Sequence, residues 1–209
     1  MNFNRELIEY IDVAKSNFGN INVERKRRLT YLAKLIDETR NEDKEVLLTF
    51  ICTHNSRRSI MGQIWAKTIA YYSGIENINT FSGGTEVTAF NEKAVEAIKR
   101  AGFIVEKQSA TDNPVYQVFY SIHAEPLLCF SKKYDDKRNP QYDFLAIMTC
   151  TDAEEKCPFI SGANHRISLP YEDPKQADGT GLESKVYDER CLQVATEMCY
   201  LFQKIKNIP

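Results

Sequence analysis

Val46-Leu47-Leu48-Thr49-Phe50-Ile51-Cys52-Thr53-His54-Asn55-Ser56-Arg57-Arg58-Ser59 is the stretch from which the fold can be read. Its first half is a near-continuous apolar run, suited to a central strand of a parallel sheet covered on both faces. A cysteine at the strand end, small and polar residues, and an arginine and a serine then lead into Ile60-Met61-Gly62-Gln63-Ile64-Trp65-Ala66, which reads as a helix. A loop entering a helix N-terminus turns main-chain N–H groups toward one point, where the helix dipole also favours negative charge. Thr53, His54, Asn55, Ser56, Arg57 and Arg58 are therefore candidate oxyanion-binding residues. Arg58 supplies a planar, permanently charged fork, and the same field favours a thiolate on Cys52.

Outward from this stretch the chain alternates. A helix is expected to about Ser73, a short strand over Asn79–Ser82, a turn at Gly83-Gly84, and an amphipathic helix from Asn91-Glu92 closed by Gly102. A further buried strand runs from Phe144 to Thr149 and ends at Cys150, and a terminal helix spans Ser184–Lys206. Such alternation implies right-handed crossovers, hence an α/β three-layer sandwich with a central parallel sheet flanked by helices. Residues 1–44 carry helical spacing, with Leu7, Ile8, Ile11 and Ala14 on one face and Leu29, Leu32, Ala33, Leu35 and Ile36 on another. They form an N-terminal helical extension to a catalytic domain over 45–209. The run Arg25-Lys26-Arg27-Arg28, flanked by acids, reads as a solvated helix face. Residues 115–121 and 126–130 look extended and able to pair as a hairpin.

Composition excludes several classes. Lys and Arg total 27 against 29 Asp and Glu, which leaves no basic footprint for nucleic acid. No apolar run approaches the ~20 residues that span a bilayer, and Met1 to Glu6 lack a signal-peptide core, so a cytoplasmic protein without a membrane partner is expected. Six cysteines stand at 52, 129, 150, 157, 191 and 199, and three histidines at 54, 123 and 165. No Cys-x2-Cys pair occurs, so neither a metal nor another cofactor is expected.

Four blocks carry a resemblance: Cys52 to Ser59; Phe81-Ser82-Gly83-Gly84-Thr85-Glu86 with Asn91 to Val95; Thr149-Cys150-Thr151-Asp152-Ala153 through Cys157-Pro158; and Glu172-Asp173-Pro174. In order and approximate spacing they resemble the low-molecular-weight protein tyrosine phosphatase superfamily, and within it the thioredoxin-coupled arsenate reductase branch. The resemblance implies that Cys52 is the nucleophile, that Arg58 and the loop amides hold the oxyanion, and that Ser59 hydrogen-bonds the thiolate while Asn55 fixes the loop. It implies too that Asp173 is the general acid, its backbone restricted by Pro174. Cys150 and Cys157 would be the second and third thiols of a relay, on a strand end and in a polar loop, with thioredoxin as reductant. Cys129, Cys191 and Cys199 match no catalytic position and read as packing residues. Gln63 stands where potassium-binding members supply a glutamate. Residues 115–141 form an insertion that could reshape the site's rim. Two rivals remain: a phosphatase acting on phosphotyrosine or another phosphomonoester, and a non-enzymatic oxyanion sensor.

Overall fold

The computed structural model describes residues 4–42, 44–156 and 159–206. Helix α1 (Arg5–Ser16) starts where Asn4 accepts a bond from the Glu6 N–H. A 3-10 turn (Asn17–Asn20) joins it to α2 (Val23–Asn41), capped by Asn22. Strand β1 (Val46–Cys52), α3 (Arg58–Tyr72), β2 (Ile78–Gly84) and α4 (Glu92–Arg100) follow. A small antiparallel sheet comes next, built from β3 (Ile104–Lys107), β4 (Tyr116–Phe119) and β5 (Leu127–Cys129). Strand β6 (Phe144–Met148), α5 (Thr151–Lys156), β7 (Ala163–Ser168), a 3-10 turn (Pro174–Ala177) and α6 (Glu183–Lys206) complete the described chain.

The main sheet is parallel, in the order β2-β1-β6-β7, which places β1 inside it. Side chains alternate across β1 as the period of two requires. Val46, Leu48 and Phe50 join a large core with α1, α2, α3, α4 and α6, whereas Leu47 and Ile51 turn to the other face, against Phe144, Ala146, Met148, Cys150 and Ala153, a cluster that Cys52 joins where the alternation breaks at the strand end. The expected three-layer arrangement is present. Helix α3 lies close on the sheet because Gly62 has no Cβ, and one built there would sit 2.5 Å from the Phe50 ring. The extension packs on α6 and contributes Leu7, Ile11, Leu29, Leu32 and Ile36 to the same core.

Three local expectations are corrected. Gly83-Gly84 is the end of β2 and not a turn, and its glycines serve close approach, since a Cβ on Gly84 would meet the Thr53 carbonyl at 2.6 Å. The polar segment after Cys150 is the short helix α5, because the Cys150 carbonyl and Sγ accept from the Glu154 and Ala153 N–H groups and take the capping role. The basic run of α2 is only partly solvated: Arg25 turns inward to Glu197, and Arg28 donates to the Ser168 carbonyl and hydroxyl. The expected pairing of 115–121 with 126–130 forms between β4 and β5; β3 joins it and β7 extends the main sheet, and neither of these two strands has a long apolar run.

Cys129, Cys191 and Cys199 are buried, as expected for packing residues. Burial pushes their thiols up from the usual 9.0, to about 12, 11 and 12. Burial pushes the Lys132 ammonium down to about 8, in the opposite sense for stability. Above pH 9 the unfolded chain releases three thiol protons that the folded chain keeps, and holds one lysine proton that the folded chain has lost. The stability these thiols contribute is thus complete below about pH 9 and is lost as pH rises toward 11 to 12. Tyr10, Tyr171 and Tyr187, whose hydroxyls burial also pushes up, act in the same sense as the thiols, and Lys67, pushed down by burial, acts with Lys132, so the free energy of unfolding should fall as pH rises from 9 to 10.5. Urea midpoints at pH 8 and pH 10 check this, and a midpoint that rises would contradict it.

Candidate active site

The 52–58 loop leaves the C-terminal end of β1 and closes at the first residue of α3. Its carbonyls are engaged from outside: those of Cys52 and Thr53 accept from the Thr85 and Glu86 N–H groups, and that of Ser56 from Asn91 N–H. The His54 carbonyl accepts from the Thr88 and Ser131 hydroxyls. The main-chain N–H groups of His54, Asn55, Ser56 and Arg57 donate to no other described residue. Outward carbonyls and unspent amides are the composition of an anion nest.

Asn55 organises the loop. Its backbone is left-handed, at φ 45°, a conformation that asparagine tolerates better than most residues. Its side-chain amide donates to Ser59 Oγ at 2.8 Å, and Ser59 Oγ stands 3.1 Å from Cys52 Sγ. Because Asn55 fills a lone pair of that hydroxyl, the single serine hydrogen is left for the sulfur. A thiol so placed can accept a hydrogen bond as its anion, the requirement for a nucleophile. The Asn55 carbonyl oxygen accepts from Lys132 N–H at 2.9 Å. Residues 131–134 also clasp Gly84, which donates to the Lys132 carbonyl and accepts from Tyr134 N–H. The insertion is therefore stitched to the loop itself and not only to its rim.

Two arginines face the chain that carries Asp173. Arg58 Nη2 pairs with Asp173 Oδ2 at 2.8 Å, and Arg58 Nη1 donates to the Tyr171 carbonyl at 3.2 Å. Arg58 Nε is buried without a hydrogen-bond partner among the described residues, a donor available to a bound oxyanion. Asp173 caps the 3-10 turn at Pro174, accepting from Lys175 N–H. Arg57 spends its fork differently. Its Nε donates to the Tyr187 hydroxyl at 2.8 Å and lies 3.9 Å from Asp173 Oδ1, while Nη2 reaches Asp178 at 3.5 Å. Burial pushes the Tyr187 hydroxyl up to about 12, so it stays protonated at neutral pH, accepting from Arg57 and donating to Asp178 at 2.8 Å.

Among the remaining expected residues, Cys150 Sγ lies 3.5 Å from the hydroxyl of Thr53, the neighbour of Cys52. Cys157 lies outside the described residues. His54 is half-exposed, 3.5 Å from the Glu86 carboxylate. Ser56 donates its hydroxyl to the Ala89 carbonyl. Gln63 is satisfied inside the protein, donating to the Thr80 carbonyl and accepting from Ser82. Beside the loop opens a cleft of about 550 Å³, lined by His54, Ser56 and Arg57 together with Lys107 and Tyr116 among others. Among the described residues, no group of three or more His, Cys, Asp or Glu is placed to hold a metal ion.

Comparison with known proteins meets this geometry at the loop. The profile of the low molecular weight phosphotyrosine protein phosphatase family matches residues 47–118, which contain the loop. An arsenate reductase of Bacillus licheniformis is 31% identical over 141 residues, covering 68% of this chain and 83% of the relative. The chain belongs to the low molecular weight protein tyrosine phosphatase superfamily, in its arsenate reductase branch. An arsenate reductase of Bacillus subtilis is similar at 29% identity over 144 residues, covering 69% of this chain and 85% of the relative. The fold is shared with a low molecular weight phosphotyrosine phosphatase from Vibrio cholerae O395, at 15% identity and a TM-score of 0.53, covering 77% of this chain and 97% of that one. It is shared too with a low molecular weight protein tyrosine phosphatase from T. tengcongensis, at 17% identity and a TM-score of 0.52, covering 77% and 99%.

As a member of this superfamily the chain is an enzyme. Several residues around its site escape a reading of the sequence alone: Tyr171, Tyr187, Asp178, Glu197, and the main chain of Ser131 and Lys132. One signal was available. Glu197 interrupts the apolar face of α6 formed by Val194, Ala195, Met198 and Phe202, and a carboxylate there must find a buried partner. Among the described residues no helix is long and apolar enough to cross a membrane.

Proposed function

We propose that the protein reduces arsenate to arsenite through a three-thiol relay regenerated by thioredoxin. Residues 45–209 form its catalytic domain, and residues 1–44 extend it. The observation that carries this reading is the convergence of Cys52, Ser59 and Asn55 with the Arg58–Asp173 pair, together with a second thiol, Cys150, beside Thr53.

In this reading Arg58 and the loop amides bind the oxyanion, and Cys52 thiolate attacks arsenic while Asp173 gives its proton to the departing oxygen. Cys150 thiolate then attacks Cys52 Sγ. An S–S bond forms, the S–As bond breaks, and its electron pair stays on arsenic, which leaves as arsenite reduced by two electrons. Cys157 thiolate attacks Cys150 Sγ, frees Cys52, and leaves a Cys150–Cys157 disulfide for the thioredoxin dithiol to reduce. The potassium site of some members has no counterpart in this scheme, since Gln63 spends its carbonyl oxygen on Ser82.

One observation favours a second reading. A free arsenate ion does not need the 550 Å³ cleft beside the loop, whereas a phosphomonoester would place its leaving group there. Phosphotyrosine or another phosphomonoester would then be cleaved through a cysteinyl-phosphate, with Asp173 protonating the leaving oxygen and later activating water. The two readings separate in an assay of arsenate-dependent NADPH oxidation with thioredoxin and its reductase, run beside hydrolysis of a phosphopeptide. Arsenate turnover supports the reductase; phosphopeptide hydrolysis without it hands the site to the phosphatase reading.

A further inference from the structure

We propose that Arg25, on the N-terminal extension, is a positioning residue for the reaction: through Glu197 and Tyr171 it holds the chain segment that presents Asp173. The inference rests on the reading of Asp173 as general acid.

The contacts form one connected set. Arg25 Nε and Nη2 donate to the same Glu197 carboxylate oxygen at 2.9 and 2.8 Å, and Nη1 donates to the Pro170 carbonyl at 3.1 Å. The guanidinium carbon sits 4.6 Å from the centre of the Tyr171 ring, and the Tyr171 hydroxyl donates to that Glu197 oxygen at 2.7 Å. Three donors from two elements thus converge on one oxygen supplied by α6. Tyr171 in turn is fixed at its main chain, its N–H donating to the Thr149 carbonyl and its own carbonyl accepting from Arg58. Asp173 follows two residues later. One turn further along α2, Arg28 ties down Ser168 at the end of β7.

Stability alone is a poor account of this arrangement. The Arg25 and Glu197 side chains are only 11% and 3% exposed. A buried ion pair roughly offsets its own desolvation, so the charge attraction itself adds little stability. What charge adds over apolar packing is direction. The two guanidinium donors fix the Glu197 oxygen that accepts the Tyr171 hydroxyl, and the cation over the ring fixes its face, to within a hydrogen bond's tolerance, while catalysis is sensitive to displacements of about 1 Å. The segment needs such fixing because Asp173 is partly exposed and lies on irregular chain between β7 and a 3-10 turn.

The test uses the full chain and two substrates that differ in their demand for an acid. Phenyl phosphate has a poor leaving group that must be protonated; 2,4-dinitrophenyl phosphate has one that leaves unaided. Arg25→Lys keeps the charge without the fork, and the double variant Arg25→Met/Glu197→Gln removes the pair without stranding a buried charge. Both should lose about 10- to 100-fold in kcat/KM on phenyl phosphate and retain kcat/KM on dinitrophenyl phosphate to within about threefold, since kcat/KM reports formation of the cysteinyl-phosphate and not its later hydrolysis, and both should keep their inhibition by inorganic phosphate. Asp173→Asn should show the same selectivity more strongly. Equal losses on both substrates, or none, in the Arg25 variants beside a selective loss in Asp173→Asn would overturn the inference alone. An unselective Asp173→Asn would overturn the reading of the acid, and the inference with it. Should the Arg25 variants fail to fold, Tyr171→Phe, which deletes one hydroxyl, should show a selective loss of about threefold to tenfold, and an unchanged ratio there would overturn the inference.

Discussion

Cys52→Ser should abolish both arsenate turnover and aryl phosphate hydrolysis, by about ten-thousand-fold or more, without unfolding the protein. The size of the effect follows from the chemistry. A serine hydroxyl is far too weak an acid to be ionised by one hydrogen bond from Ser59, so the covalent step loses its nucleophile, worth at least about 5 kcal/mol of barrier. The fold should tolerate the change, because Cys52 is buried beside Ser59 Oγ, which can hydrogen-bond the new hydroxyl. Thermal unfolding and steady-state rates on the same preparation check both halves. Retention of either activity would remove Cys52 from the chemistry and sink the reductase and phosphatase readings together.

Cys150→Ser should split the two activities. Arsenate-dependent NADPH oxidation should fall to background, since the thiol that attacks Cys52 Sγ to break the S–As bond is gone, while aryl phosphate hydrolysis stays within about threefold of wild type. The selectivity has a structural basis. Cys150 Sγ touches the site through the Thr53 hydroxyl and accepts from Ala153 N–H, and a serine hydroxyl can take over both contacts. Cys157→Ser should behave similarly over many cycles but permit one: arsenite is released once, and the enzyme then stalls with Cys52 and Cys150 joined. Equal loss of both activities in Cys150→Ser would assign that thiol to packing.

The β1 run and the loop after it were legible because their signals are local. Seven residues of apolar strand, small residues and an asparagine able to sit left-handed, and a helix start together define a cradle whatever surrounds them. Asp173 was legible only through resemblance, and its pairing with Arg58 spans more than a hundred residues of chain. The edge strand β7 escaped notice because Ala163-Asn164-His165-Arg166-Ile167-Ser168 buries one side chain fully and has no apolar run. The basic run of α2 misled for a related reason. Its four cations look alike in sequence, and only the neighbouring Glu197 and Tyr171 decide that Arg25 turns inward. The clasp of the insertion on Asn55 was invisible in principle, since it uses the main chain of Lys132, which any residue would supply.

The relay is tested most directly by its product. Reduced protein should be given one equivalent of arsenate, without external reductant, then quenched with an alkylating agent and mapped by peptide mass. The account predicts a Cys150–Cys157 disulfide, with Cys52 recovered alkylated and one arsenite released per chain. Recovery of Cys150 and Cys157 as alkylated thiols after arsenate has been consumed would contradict it.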